Sequence, residues 1–357
     1  MNRPAAPSAF HAGIAWLAAP VAAGVAFSLY LIIHAHRANH GIDCFPLDDP
    51  WIHLTYARNL AFHHSFSYFP GDHPTAGSTS PLYTLLLALG FHVTRNEKLL
   101  SWVLGILFQA GFLVMAALWA RKRLGSSLLA AAFVLVLGLD ARLAILSVSG
   151  METSLFLFLM AAAFWAWAES RAVWLGLALG LGVWTRPESL ILAGVLVLVT
   201  LLGRTRSRRA GEKSQPRVMR WAIPFAALVL LYFVFNRLTG GTFFPNTMAA
   251  KHAAYQQSRW FFMTHGVREA LLSSAFVVLT PLALIQIGAE GARALRRKRS
   301  NLLAEAGWVP ALVLAYVVFL PYAHRFSRYL VPALPAIALL GLAALQGIGA
   351  RLSARRV

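Results

Sequence analysis

The sequence predicts an all-α polytopic membrane protein: a bundle of about ten transmembrane helices with one large polar loop that carries short interfacial helices. Three observations predict it. Of 357 residues, 58% are hydrophobic and only 13% charged, whereas about a quarter of the residues in a soluble domain are charged. Apolar stretches of spanning or near-spanning length recur along the chain. The acids are few, 13 against 32 Lys and Arg, and several gather in the segment after the first apolar stretch.

That first stretch, at about 14–34, is too long for a signal-peptide core, although AAPVAAG imitates a cleavage site, so it reads as an uncleaved anchor. Further stretches fall at about 99–119, 125–139, 153–168, 172–186, 188–203, 221–237, 270–289, 306–322 and 330–349. Several are shorter than about 17 residues, as suits helices packed inside a bundle. Segment 82–94 (LYTLLLALGFHVT) is also apolar, and loop charge decides its path. If it does not cross, the basic clusters at 121–123, 204–220, 293–300 and the C-terminal tail share the side of the N-terminus, which then holds 20 of the 32 Lys and Arg. Basic loops select the cytoplasm. Segment 82–94 is therefore expected as a re-entrant or interfacial helix, with both termini cytoplasmic. Asp43, Asp48, Asp49, Asp72, Glu97, Asp140, Glu152, Glu188 and Glu269 then lie outside or near the outer ends of spans. The chain reads as one domain, 1–357, with a first extracytoplasmic loop at 35–98, a basic cytoplasmic loop at 204–220 and no C-terminal soluble domain.

One function class falls away. The net charge of +19 sits in short loops between apolar runs, without the single aromatic-laced patch that nucleic-acid binding needs. Cys44 is the only cysteine, so no intrachain disulfide forms. The 12 histidines include HAHRANH (34–40), His63, His64 and His73, but the spacing of His34, His36 and His40 matches no closed metal site. They read as interfacial residues.

Carboxylates beside a bilayer are costly unless they have a task, so the acidic loop is where chemistry is expected. In DDP, Asp49 reads as a helix N-cap and Pro50 as the first helical residue. Ile52, Tyr56 and Leu60 line one side of the helix that follows. Asp48, left without capping duty, is the better candidate for a general base. The run GSTSP (77–81) reads as a flexible, hydroxyl-rich turn. Glu152 opens a span, where it suits either a cap or a site, and Arg186 and Glu188 flank Pro187 as an ion pair fixing a break between spans.

The acidic pair, the Y-A-R-N-L helix and the G-x-T-S-P-L-Y turn together resemble the polyprenyl-phosphate-sugar-dependent glycosyltransferases of the GT-C fold, nearest to the bacterial arabinofuranosyltransferase and mannosyltransferase-like branch. SGMETSLF (149–156), LGLGVWTRPESLILAG (179–194), FFPNTMAAKHAAY (243–255) and RFSRYLVPALP (325–335) extend the resemblance through most of the chain. It implies an inner-membrane enzyme that moves a sugar from a polyprenyl-phosphate donor to an extracytoplasmic glycan, lipid or protein acceptor. Such a donor carries its own leaving group, so the enzyme needs a base and cations for the departing phosphate. The resemblance assigns the base to Asp48 or Asp49 and donor contacts to Lys251, Arg325 and Arg328, with Glu152, Tyr56 and Asn246 completing the substrate-binding set. It leaves room for a divalent cation (Mg, Mn or Ca) near Asp48 and Asp49, which some relatives use and others do not. The rival readings are a multi-span transporter or lipid flippase, disfavoured because the charges gather in one outer loop, and an inactive envelope scaffold of the same fold.

Overall fold

A computed structural model describes residues 15–209, 219–243, 245, 257–296, 298 and 300–354. All ten predicted apolar stretches contain a helix. The first is α1 (Ala15–Ala38). The polar loop then folds two short helices, α2 (Pro50–His63) and α3 (Pro81–Phe91), each opened by a proline whose missing N–H costs nothing at that position. A long helix α4 (Glu97–Leu124) follows, capped by the Asn96 side chain on the Leu99 N–H and closed by Gly125 at φ 67°. Next come α5 (Ser127–Gly138) and α6 (Ala141–Ser147), bent 65° from each other, then α7 (Thr153–Ala168), α8 (Ala172–Thr185), α9 (Glu188–Arg209) and α10 (Met219–Gly240). The C-terminal part holds α11 (Phe276–Leu295), α12 (Leu303–Phe319) and α13 (Leu334–Ala354).

Five of these, α1, α4, α10, α11 and α13, are long and apolar enough to cross a membrane, and the bent pair α5–α6 makes a sixth. Helices α3, α7, α8, α12 and the Glu188–Gly203 part of α9 are shorter apolar helices of 10–17 residues. At 11 residues α3 rises only about 17 Å, less than a bilayer core of about 30 Å. Two boundaries differ from expectation. The stretch at 270–289 is interrupted: a short broken helix with a π turn over Phe262–Val267 ends at Leu271, and α11 begins only at Phe276. The last helix starts at Leu334, after a 3-10 turn over Val331–Ala333, and runs on to Ala354.

Backbones approach closely where small residues allow it, as lipid-embedded packing requires. Gly24 of α1 faces Gly138 of α5, and a Cβ on Gly105 of α4 would fall 1.8 Å from the Ser147 carbonyl oxygen. The main core is centred on α4, α7 and α13, with Trp119 stacked on Phe164 at 4.6 Å. A smaller core of Phe45, Leu54, Ala57, Tyr83, Leu87, Leu100 and Leu155 clamps α2 and α3 onto α4 and α7. The polar loop is thereby bolted to the bundle.

Inside that loop the expected flexible turn is instead buried. Ser78 and Ser80 are at most 1% exposed, because Ser78 Oγ lies 2.9 Å from His53 Nδ1 and 2.7 Å from Thr84 Oγ1. Asn59, also buried, donates to the Ser67 and Tyr68 carbonyls and ties the returning chain to α2.

Candidate functional site

Charged side chains from four separate parts of the chain meet where the polar loop joins the bundle. Asp49 comes from the start of α2, Glu152 from the turn before α7, Arg186 and Glu188 from the break between α8 and α9, and Arg328 from the segment before α13. Glu152, Arg186, Glu188 and Arg328 are each only 3 to 6% exposed. Buried charges must be paired.

Asp49 does not act as the sequence suggests. It occupies the N-cap position of α2, but its side chain makes no capping bond; Oδ2 instead lies 2.7 Å from Arg328 Nη1. A strong tertiary ion has outcompeted a local N–H. Asp48 is exposed, and its Oδ1 accepts the Asp49 N–H at 3.1 Å. The expected premise for preferring Asp48, that Asp49 is occupied with capping, is thus reversed. Glu152 likewise sits at an N-cap position without making a capping bond. Its Oε1 lies 3.8 Å from Arg186 Nη1 and its Oε2 3.4 Å from His53 Nε2.

The expected Arg186–Glu188 ion pair is present, with Nε and Nη2 converging on Glu188 Oε1 at 2.9 and 2.6 Å. Tyr316 of α12 donates its hydroxyl to the same carboxylate and accepts from Arg186 Nη2 at 3.3 Å. The Tyr329 ring stacks on Tyr316 and lies against both guanidinium groups, 5.8 Å from that of Arg186 and 5.3 Å from that of Arg328. Among the described residues, Arg186 Nη1 and Arg328 Nε have no hydrogen-bond acceptor. The Phe156 ring, 5.6 Å from the Arg186 guanidinium, and the Tyr329 ring thus flank two cations that are not fully spent.

Burial alone would raise the Glu152 carboxyl, but the His53 contact and the charges of Arg186 and Arg328 outweigh it and hold the group well below the usual carboxylate range. Burial works against the charge of Arg328 as well, and Glu152, Tyr329 and Asp49 more than restore it. Both groups stay ionised at neutral pH.

Arg186 and Arg328 head a cavity of about 310 Å³. Its polar end also holds Thr79, Glu152 and Glu188, and its walls are Pro187, Leu190, Ile191, Phe319 and Leu320. A charged head beneath an apolar trough is the shape of an anionic lipid. Arg328 is aimed there by an unusual turn: Phe326 and Ser327 both adopt left-handed backbone, with φ of 58° and 52°.

The remaining expected residues fall elsewhere. Arg325 is exposed and does not line the cavity. Tyr56 is buried beneath the loop, its hydroxyl 2.6 Å from Thr75 Oγ1, and does not reach the cavity either. Asn246 and Lys251 lie outside the described residues, although Pro245 lines the cavity. Among the described residues no three His, Cys, Asp or Glu side chains gather as a metal site. His34, His36, Asp43 and Cys44 border a second cavity, where His36 pairs with Asp43 at 2.8 Å. At the acidic pair itself, Asp49 Oδ2 faces the Arg328 guanidinium.

Beyond the expected set, the site holds Arg186, Glu188, Tyr316, Tyr329 and His53. Arg186 looked complete once paired with Glu188. Tyr329, next to Arg328, and His53, four residues after Asp49, gave no other local sign.

No protein-family model matches the sequence, and neither does any curated protein. Among solved structures, the crystal structure of ArnT from Cupriavidus metallidurans bound to undecaprenyl phosphate is similar, with a TM-score of 0.63 at 16% identity, covering 95% of this chain. This chain spans 61% of that protein's length. At that identity the likeness shows the fold alone: this chain shares the fold of that protein, and its own helices, among the described residues, include five long and apolar enough to cross a membrane.

Proposed function

We propose that this chain is a membrane glycosyltransferase that moves a sugar from a polyprenyl-phosphate donor to an acceptor outside the cytoplasm. The observation that carries this reading is the pair of buried arginines with unspent nitrogens at the head of an apolar-walled cavity. Arg offers a planar fork that suits phosphate, and in a dry site such bonds are strong. The trough beyond it matches an isoprenoid chain. The neighbour's bound undecaprenyl phosphate is a ligand of the same class.

In this reading the donor phosphate sits on Arg186 and Arg328, and charge building up on it as the glycosidic bond breaks is met by groups already in place. Asp49 gives up Arg328 as the phosphate arrives. The freed carboxylate then takes the acceptor hydroxyl proton, so donor binding readies the base. Asp48, one residue away and in water, is the outer member of the pair. Asn246 and Lys251, which follow Pro245 in sequence, supply further donor contacts. The bias of basic loops supports a bacterial inner-membrane location with cytoplasmic termini and an extracytoplasmic site.

A strain lacking the protein should accumulate a polyprenyl-phosphate sugar and lose one sugar from an envelope glycan, lipid or protein, both read by mass spectrometry. Unchanged pools of lipid-linked sugars and unchanged envelope products would overturn the reading.

A further inference from the structure

Five carboxylates are buried among the described residues: Asp140, Glu152, Glu188, Glu290 and Glu305. Four of them accept hydrogen bonds. Asp140 accepts from Arg142 and the Leu143 N–H, Glu188 from Arg186 and Tyr316, Glu290 from Gln286, Arg293 and Ser300, and Glu305 from Trp119 and Arg123. Glu152 differs. Its Oε2 is buried and makes no hydrogen bond among the described residues, although His53 Nε2 lies at 3.4 Å. Its Oε1 stands 3.8 Å from Arg186 Nη1, beyond hydrogen-bond reach. The turn that carries it is well anchored: Gly150 has left-handed backbone, with φ of 78°, close against Phe45 and Pro50, and its carbonyl accepts from the buried Tyr83 hydroxyl at 3.1 Å. Glu152 lines the polar end of the main cavity beside Arg186 and Arg328.

We infer that Glu152 binds the sugar of the donor, its carboxylate accepting a hydrogen bond from the hydroxyl on the carbon next to the phosphate-bearing one. The inference rests on the phosphate reading given above and narrows the donor class to sugars with a free hydroxyl at the second carbon. An ionised carboxylate only accepts, so it calls for a ligand group that donates. Arg186 Nη1, across the 3.8 Å gap, only donates and also lacks a partner among the described residues, so it calls for one that accepts. A sugar phosphate offers the two side by side: acceptor oxygens on the phosphate and a hydroxyl on the neighbouring carbon.

Charge points the same way. A phosphate on the arginines brings a second anion towards Glu152, and like charges in a buried site repel strongly. A hydroxyl donated to Glu152 sets hydrogen in front of the carboxylate. A lipid phosphate without a sugar leaves the repulsion in place.

The test is binding to the purified full chain in nanodiscs, with melting temperature recorded for every variant. The probes are undecaprenyl phosphate and undecaprenyl-phosphate glucose, mannose and arabinofuranose, each sugar lipid beside its 2-deoxy counterpart. In wild type at least one sugar lipid should bind about tenfold or more tighter than its counterpart, which has lost a hydrogen bond to a charged group. Glu152→Gln should cut that preference to about threefold or less, since a neutral acceptor makes a weaker bond. The same variant should bind undecaprenyl phosphate at least as tightly as wild type, because a neighbouring anion has gone; a merely structural role would weaken every probe together. Equal affinity within every pair in wild type would overturn the inference, as would equal losses for undecaprenyl phosphate and the sugar lipids in Glu152→Gln. Binding of undecaprenyl phosphate without measurable binding of any sugar lipid would overturn it too. Should Glu152→Gln not give folded protein, the wild-type comparison decides alone. Equal binding of undecaprenyl phosphate by wild type and Arg328→Ala would instead remove the phosphate reading, and this inference with it.

Discussion

Asp140–Arg142 and Arg186–Glu188 are the same local device used to different ends. Each is an acid and an arginine two residues apart, each lies at a break between helices, and each is largely buried. Around Asp140 every group is spent. Its carboxylate caps α6 through the Arg142 and Leu143 N–H groups and accepts from Arg142 Nε and Nη2, while Arg142 Nη1 donates to the Ala270 carbonyl and the guanidinium lies over Phe276. At Arg186 one nitrogen is left over, a second arginine stands close by, and a cavity opens in front. Burial and pairing are common to both pairs. Surplus donors beside open space are what mark the second as a site.

Substitutions at the two pairs should therefore fail in different ways. The largest effect is expected for Asp49→Asn, which should lower turnover by about two to four orders of magnitude if its carboxylate is the base. Asp48→Asn, altering an exposed neighbour, should do less, and rates of sugar release measured side by side would show a reversed order if the base is Asp48. Next, Arg328→Ala and Arg186→Ala should each remove a buried, charge-assisted contact to phosphate, on the order of 2–5 kcal/mol, and so weaken undecaprenyl phosphate binding more than about tenfold. Exposed Arg325→Ala should leave that affinity nearly unchanged. Equal affinity in all three would erase the distinction drawn here.

Arg142→Ala tests the other side. It leaves Asp140 buried without its partner, so the melting temperature should fall, with a cost of about 3 kcal/mol, while the surviving folded protein binds the lipid as before. A selective loss of binding would make Arg142 part of the site.

The smallest effect concerns pH. The Glu152 carboxyl is held below its ordinary value, so its contribution to stability is complete above the unfolded value of about 4.3 and is lost as pH falls through the lowered folded value. The melting-temperature gap between wild type and Glu152→Gln should thus stay constant from pH 8 to 5 and narrow only below about 4. A gap that changes near neutrality would point to another titrating group.

Much of the architecture was legible because apolar runs and basic loops are local, additive signals. Ten helices fall where the apolar stretches lie, and α3 forms over most of the apolar segment 82–94. The site was legible in part. The motif DDP located the acidic pair and TRPE located the ion pair, but partners distant in sequence decided their geometry. Asp49 abandoned its cap for Arg328, and Ser78 left solvent for His53 and Thr84. Neither contact leaves a trace in local spacing. Arg325 and Arg328, three residues apart, looked interchangeable until the turn between them buried one and exposed the other.

That turn has an engineering consequence. Two successive non-glycine residues in left-handed backbone, Phe326 and Ser327, cost about 1 kcal/mol or more each, and such strain persists only where neighbours enforce it. Replacing Ser327 by Gly would relieve the strain but free the unfolded chain by a similar amount, so heat resistance should barely move. Stiffness would change instead. Arg328 would hang from a soft joint, and a variant chosen for easy folding would pay in the precision with which its guanidinium meets the lipid head.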